Sequence, residues 1–169
     1  MHPIVKLAKK SVEQYIKTGG TPELPDDLPE EMLQKAGVFV CLKANGRLRG
    51  CIGTIEPVTG CASEEAVRNA IAAAISDPRF LPVGEHELDS LEYSVDVLCP
   101  AEKVAGIDAL DPKRYGVIVK KGNRKGLLLP DIEGVDSAEA QARIAKTKAG
   151  ISPDDTDVEL YRFEVRRFK

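Results

Sequence analysis

Apolar residues at Ile4, Val5, Ala8, Val12, Tyr15 and Ile16 recur at helical spacing, and Gly19-Gly20 ends the run. A Pro-rich acidic connector, TPELPDDLPEE, follows, and the pattern then switches from period 3.6 to strands. In VFVCLKANGRLRGCIG, Asn45-Gly46 between two strand-like runs predicts a tight hairpin. A two-residue loop sets Leu42 opposite Arg49, Cys41 opposite Gly50 and Val40 opposite Cys51. Alternation then places Arg47, Arg49 and Cys51 on one face, and Leu48 and Ile52 on the other. Cys41 and Cys51 would point to opposite faces, which argues against a bridge; a bulge at Gly50 would break this register.

Further along, SEEAVRNAIAAAIS (63–76) reads as a helix capped by Ser63, with Glu64 and Glu65 suited to its positive end. It stops at SDPRFLP, where Pro78 disfavours helix at Asp77. LEYSVDVLC alternates, with Leu91, Tyr93, Val95 and Val97 inward and Glu92, Ser94 and Asp96 outward. YGVIVKKGNRKGLLLP predicts a second hairpin with Gly122-Asn123 at its tip. DSAEAQARIAKTKAG predicts a helix with an Asp136/Glu139 capping box and Gly150 as its stop. VELYRFEVRRF predicts a closing strand with Tyr161, Phe163 and Val165 along one face. Hairpins, lone strands and helices without a βαβ rhythm define an α+β chain built on an antiparallel sheet. The sequence carries no visible internal repeat.

Composition narrows the classes. With 169 residues, 43% apolar and 30% charged, the chain is long enough for one domain with a real core. A net charge of −3 provides no overall drive toward nucleic acid or anionic membrane. No run of 18 apolar residues predicts a membrane helix. The amphipathic start lacks the apolar stretch of a secretory signal. Four cysteines without a CxxC pair point to a reducing cytoplasm rather than a disulfide framework.

Cys51 is the first chemical candidate, because a thiolate is a nucleophile and Arg49 on the same face would favour it. Gly50 and Gly53 would let a ligand or a backbone approach closely. The opposing reading is a small buried hydrophobe. A Cys–His enzyme needs a base, yet the two histidines are His2 at the terminus and His86 in a polar loop. Cysteine spacing does not suit a metal, and no cofactor is expected. The second candidate is the Asp77–Phe80 turn, where Asp77 and Arg79 flank a proline at a helix exit. A basic set at Lys120, Lys121, Arg124 and Lys125, with Arg162, Arg166, Arg167 and Lys169, is the third. It lacks the stacking aromatics of a single-strand nucleic-acid surface, so nucleic-acid binding is disfavoured.

Taken in order, LRGCIGT, DPRFLP, ELDSLEYSVDVL, YGVIVKKGNRKGLLLP and KAGI resemble the AMMECR domain family. The half running from LLLPDIEGVDSAEAQARIAKTKAGI to VELYRFEV is nearer to its prokaryotic branch, called AmmeMemoRadiSam system protein A. Longer eukaryotic members carry a Trp-Asp element after the Leu-Pro; Gly134-Val135-Asp136 stands there in this chain. The resemblance implies one domain over residues 1–169, with a large part holding an antiparallel sheet flanked by helices and a smaller helical part. It also implies that Leu48–Gly53 is the functional signature, in a pathway shared with Memo-like and radical-SAM proteins.

The expected site is therefore a cleft with Cys51 and Arg49 as catalytic candidates. Gly50, Gly53, Thr54, Asp77, Arg79 and Phe80 are the candidates for holding an unknown small molecule. The alternative is an adaptor presenting the same surface to a protein partner.

Overall fold

The computed structural model describes residues 1–169. The chain is α+β, with two four-stranded antiparallel sheets in two compact units, residues 1–98 with 166–169, and 99–165. The smaller unit thus carries a sheet of its own beside its helix.

In the first unit, α1 (Pro3–Thr18) begins at an N-cap where the His2 side chain accepts from the Ile4 N–H, and ends at Gly19 in the left-handed conformation. One four-residue turn, α2 (Glu30–Leu33), interrupts the acidic connector. Strands β1 (Val38–Ala44) and β2 (Arg47–Gly53) form the expected hairpin, with Asn45 and Gly46 both at positive φ as its turn requires. Helix α3 (Ala62–Ile75) starts one residue earlier than its sequence suggests. Ser63 does not cap it; its hydroxyl donates to the Met32 carbonyl instead.

Strand β3 (Leu91–Leu98) pairs with β1, and the sheet order is β2-β1-β3-β8, where β8 is Val165–Phe168. The inward residues of β3 are buried as expected, against Val38, Val40 and Leu42 of β1, α1 and α3. Asp96 points outward yet is also buried, because Arg167 of β8 grips both its oxygens at 2.8 and 2.7 Å.

The second unit holds β4 (Glu102–Val104), the hairpin β5 (Gly116–Lys121) and β6 (Arg124–Leu128), α4 (Ala138–Lys148) and β7 (Glu159–Phe163), in the order β4-β7-β5-β6. The N-cap of α4 is Ser137, whose hydroxyl accepts from the Ala140 N–H, rather than Asp136. The expected closing strand is two strands, because pairing breaks at Glu164 and β7 and β8 belong to different sheets.

A repeat that the sequence hides appears in the topology. Each unit runs hairpin, helix, strand, and each places the hairpin's first strand in the centre with the later strand beside it: β2-β1-β3 and β6-β5-β7. The likeness extends to single residues. Gly50 lies opposite Leu42, and a Cβ there would stand 2.1 Å from the Ala73 carbonyl oxygen of α3. Gly126 lies opposite Val119, and its Cβ would stand 2.1 Å from the Ala145 carbonyl oxygen of α4. In both units a glycine lets a helix backbone settle on the hairpin.

Candidate functional site

The hairpin register differs from a plain two-residue loop by one step. The pairing shifts between Leu42 and Lys43, leaving Arg49 as the extra residue on β2. Beyond that bulge, Leu42 faces Gly50, Cys41 faces Cys51 and Val40 faces Ile52. The two thiols therefore share one face of the sheet, opposite to the expectation from simple alternation. The Cys51 N–H donates to Asp77 Oδ2 at 2.9 Å and so points away from β1. Cys41 and Cys51 thus form a non-hydrogen-bonded pair, the type in which side chains lie closest.

Their side chains face each other across the strand pair, and both residues are half-buried. Donation from Cys51 lowers the Cys41 thiol to about 7, against the opposing pull of burial and with help from Lys43. The same hydrogen bond, then burial, pushes Cys51 upward. The pair thus favours the thiolate at Cys41 over Cys51.

Asp77 fixes this arrangement. It is 4% exposed, and besides the Cys51 amide it accepts from the Arg79 N–H, from Arg79 Nε at 3.0 Å and from Arg79 Nη2 at 2.7 Å. The Arg79 guanidinium holds its carboxyl well below the usual carboxylate range, outweighing burial. Arg79 Nη2 also reaches the Cys51 carbonyl at 3.5 Å. Since β2 is a sheet edge, Asp77 and Arg79 occupy the backbone groups that a further strand would pair with. Arg79 is otherwise solvent-facing, with Phe80 beneath its guanidinium at 5.5 Å.

Arg49 is engaged elsewhere. Its Nε and Nη2 donate to Glu87 at 2.7 and 2.9 Å, and its Nη1 donates to the Leu81 carbonyl at 3.0 Å. Arg49 holds the Glu87 carboxyl down at about 2, helped by the Gly84 N–H. The residue is a latch between the bulge and the 81–87 segment, not a guanidinium open to an anion. The glycines are occupied too: the space above Gly50 is filled by Ala73, and a Cβ on Gly53 would collide with the Phe39 ring at 2.2 Å. Thr54 donates to Glu65 Oε1 at 2.5 Å and accepts from Asn69.

Cys41, Glu65, Asn69 and Glu87 are the residues that sequence reading missed. Glu65 is fully buried, and burial alone would raise it. Hydrogen bonds from Thr54, Thr59 and the Val58 and Thr59 amides outweigh that and keep it ionised. It clamps the loop that follows the LRGCIGT stretch. Its only sequence signal, an acid in a helix first turn, reads equally well as a dipole partner.

A surface cleft of about 360 Å³ is lined in part by Lys43, Glu92 and Ser94, which share the Cys41 face of the sheet, and by Lys9 and Lys169. No three His, Cys, Asp or Glu side chains gather into a metal nest. Four of the eight basic residues of the third candidate hold acids: Lys121 pairs with Asp155, Arg162 with Glu102, Arg166 with Glu31 and Arg167 with Asp96. No helix is long and apolar enough to cross a membrane.

Fold and site together define an α+β protein carrying a cross-strand thiol pair on a sheet edge. Comparison with known proteins places it further. The AMMECR1 family model matches residues 5–168, and the chain belongs to that family. It is 55% identical to a protein of Thermotoga maritima, over 99% of this chain and 98% of that one. It is 52% identical to the protein CA_C1420 of Clostridium acetobutylicum, of whose length it spans 36%. The crystal structure of the uncharacterised protein PH0010 from Pyrococcus horikoshii, 38% identical, superposes with a TM-score of 0.89 over 97% of this chain and 88% of that one.

Proposed function

We propose that the LRGCIG hairpin carries a thiol-dependent site for a small molecule, and that the protein acts in a pathway with Memo-like and radical-SAM proteins. The observation that carries this reading is the pairing of Cys41 with Cys51, half-buried and facing each other beside Asp77 and Arg79. At the matching positions the second unit has Ile118 opposite Leu127, both buried. The architecture therefore does not require thiols there. In this site Cys41 or Cys51 is the nucleophile, and Arg79, more exposed than the latched Arg49, attracts an anionic group of the ligand. Phe80 supplies an apolar floor. Direct roles for Gly50, Gly53, Thr54 and Arg49 reduce to shaping the hairpin.

Alkylation of the native protein tests it. Cys41 should react with iodoacetamide at neutral pH and Cys51 more slowly, its thiol being pushed upward, while buried Cys61 reacts only after unfolding. Reaction of Cys41 and Cys51 only in denaturant would overturn the proposal.

An adaptor role is favoured by one separate feature. Leu81 is 84% exposed, and its carbonyl is held by Arg49, so an apolar side chain is presented on a fixed backbone. In that reading, Leu81→Asp and Arg49→Ala both abolish co-purification with a Memo-like or radical-SAM partner. Retained binding in both variants counts against it.

A further inference from the structure

The bulge at Arg49 brings two thiols opposite each other with no ladder hydrogen bond between their residues. In a non-hydrogen-bonded antiparallel pair the Cα atoms lie about 4.5 Å apart, inside the roughly 4.4–6.8 Å range that a disulfide spans and near its short end. A bond between Cys41 and Cys51 would cost no backbone pairing, because the Cys51 amide is already held by Asp77 from the other side. Bridges near the short limit are strained and more readily reduced, which suits a bond that opens and closes rather than a permanent staple. Lys43 and Arg167 act on Cys41 and Arg79 acts on Cys51, with Asp96 opposing them at both thiols.

We propose that Cys41 and Cys51 are a redox-active dithiol that reduces an acidic low-molecular-weight disulfide and closes to a cross-strand disulfide. The inference rests on the reading of this face as the reactive site. Cys41, as thiolate, attacks one sulfur of the small disulfide. The S–S bond breaks, one thiolate leaves and takes a proton from water, and Cys41 is left in a mixed disulfide. Cys51 then gives its proton to solvent and attacks the Cys41 sulfur, expelling the second small thiolate. Two protein thiols are oxidised and one small disulfide is reduced to two thiols, so the electrons balance. Cys41 attacks first because its thiol is the one lowered toward neutral pH, and Cys51 resolves because it lies directly opposite. Lys43 and Arg79 select an acidic disulfide over a cationic one.

The test uses the full chain, reduced and then exposed to oxidised glutathione, with remaining free thiols trapped by N-ethylmaleimide in acidified denaturant and mapped by mass spectrometry. The expected product has lost two hydrogens, carries a peptide joining Cys41 to Cys51, and keeps Cys61 and Cys99 alkylated. Cys51→Ser should stall as a glutathione adduct on Cys41, and Cys41→Ser should slow the reaction about tenfold or more. Oxidised glutathione should react faster than the cationic disulfide cystamine. Should a variant fail to fold, protection of the two cysteines in the wild-type chain by phenylarsine oxide, which bridges close dithiols, reports the same pairing. A link through Cys61 or Cys99, a link between chains, or no loss of thiols overturns the inference. If Cys41 and Cys51 alkylate readily in the native chain but never bridge, this inference fails while the thiol-site reading stands. If neither alkylates natively, both fail.

Discussion

At the scale of single residues, the site is a set of charges and hydrogen bonds that hold one edge of a hairpin. The Cys41 thiol is lowered to about 7 by the Cys51 hydrogen bond, so the rate of Cys41 alkylation should rise through a midpoint near pH 7. Cys51→Ala removes the donor and should move that midpoint up toward the ordinary thiol range of about 8.5; an unchanged midpoint would place the cause elsewhere. Asp77 and Glu87 have depressed folded-state values, so their stabilisation is fully present above the ordinary carboxylate range. It is lost as pH falls through the folded value, for Glu87 between about 4.3 in the unfolded chain and about 2. Urea midpoints should therefore be flat above about pH 5 and drop below about 4, and Asp77→Asn should make the drop shallower.

Cys51, Asp77 and Arg79 were legible in the sequence because each is a polar residue at a position where pattern predicts a strand or a helix exit. Cys41 was not legible as a partner. Nothing in Arg47-Leu48-Arg49-Gly50 distinguishes a bulge at Arg49 from one at Gly50, and a single extra residue exchanges the faces of everything beyond it.

At the scale of elements, the hairpins and helices follow from local chemistry that sequence states openly: Asn-Gly and Gly-Asn turns, apolar periodicity and glycine stops. Their ends do not, because caps compete. Ser137 outcompetes Asp136 at α4, and Ser137→Ala should lower stability by about 1 kcal/mol, measured by denaturant titration. The closing strand divides at Glu164 for a reason no alternation pattern contains, namely that its two halves join different sheets. Gly50 is the element-scale pivot of the site. Gly50→Ala forces a Cβ into the Ala73 carbonyl, which is backbone and cannot turn aside. It should cost about 1–3 kcal/mol and increase access to Cys51 as β2 moves from α3. A variant as stable as the parent would show that the helix shifts freely.

At the scale of the whole molecule, the same hairpin–helix–strand arrangement occurs twice on largely different residues. Counted from the turn with the Arg49 bulge set aside, Cys41 matches Ile118 and Cys51 matches Leu127, while Val40 and Val117, Lys43 and Lys120, Arg47 and Arg124, and Gly50 and Gly126 are the same. The extra residue at Arg49 and the exchanged Asn-Gly and Gly-Asn turns break the run of shared residues, which is why the repeat shows in the topology and not in the sequence.

That repeated arrangement makes the chain its own control experiment. Changing Ile118→Cys together with Leu127→Cys would install the same two side chains on the same scaffold. The new pair would lack the Arg49 bulge and the Asp77 and Arg79 partners. Alkylation of the added thiols near pH 7 would credit the hairpin alone with the chemistry. Inert thiols, the outcome their burial predicts, would show that the Arg49 bulge with its Asp77 and Arg79 neighbours, and not the shared hairpin, makes the first pair reactive.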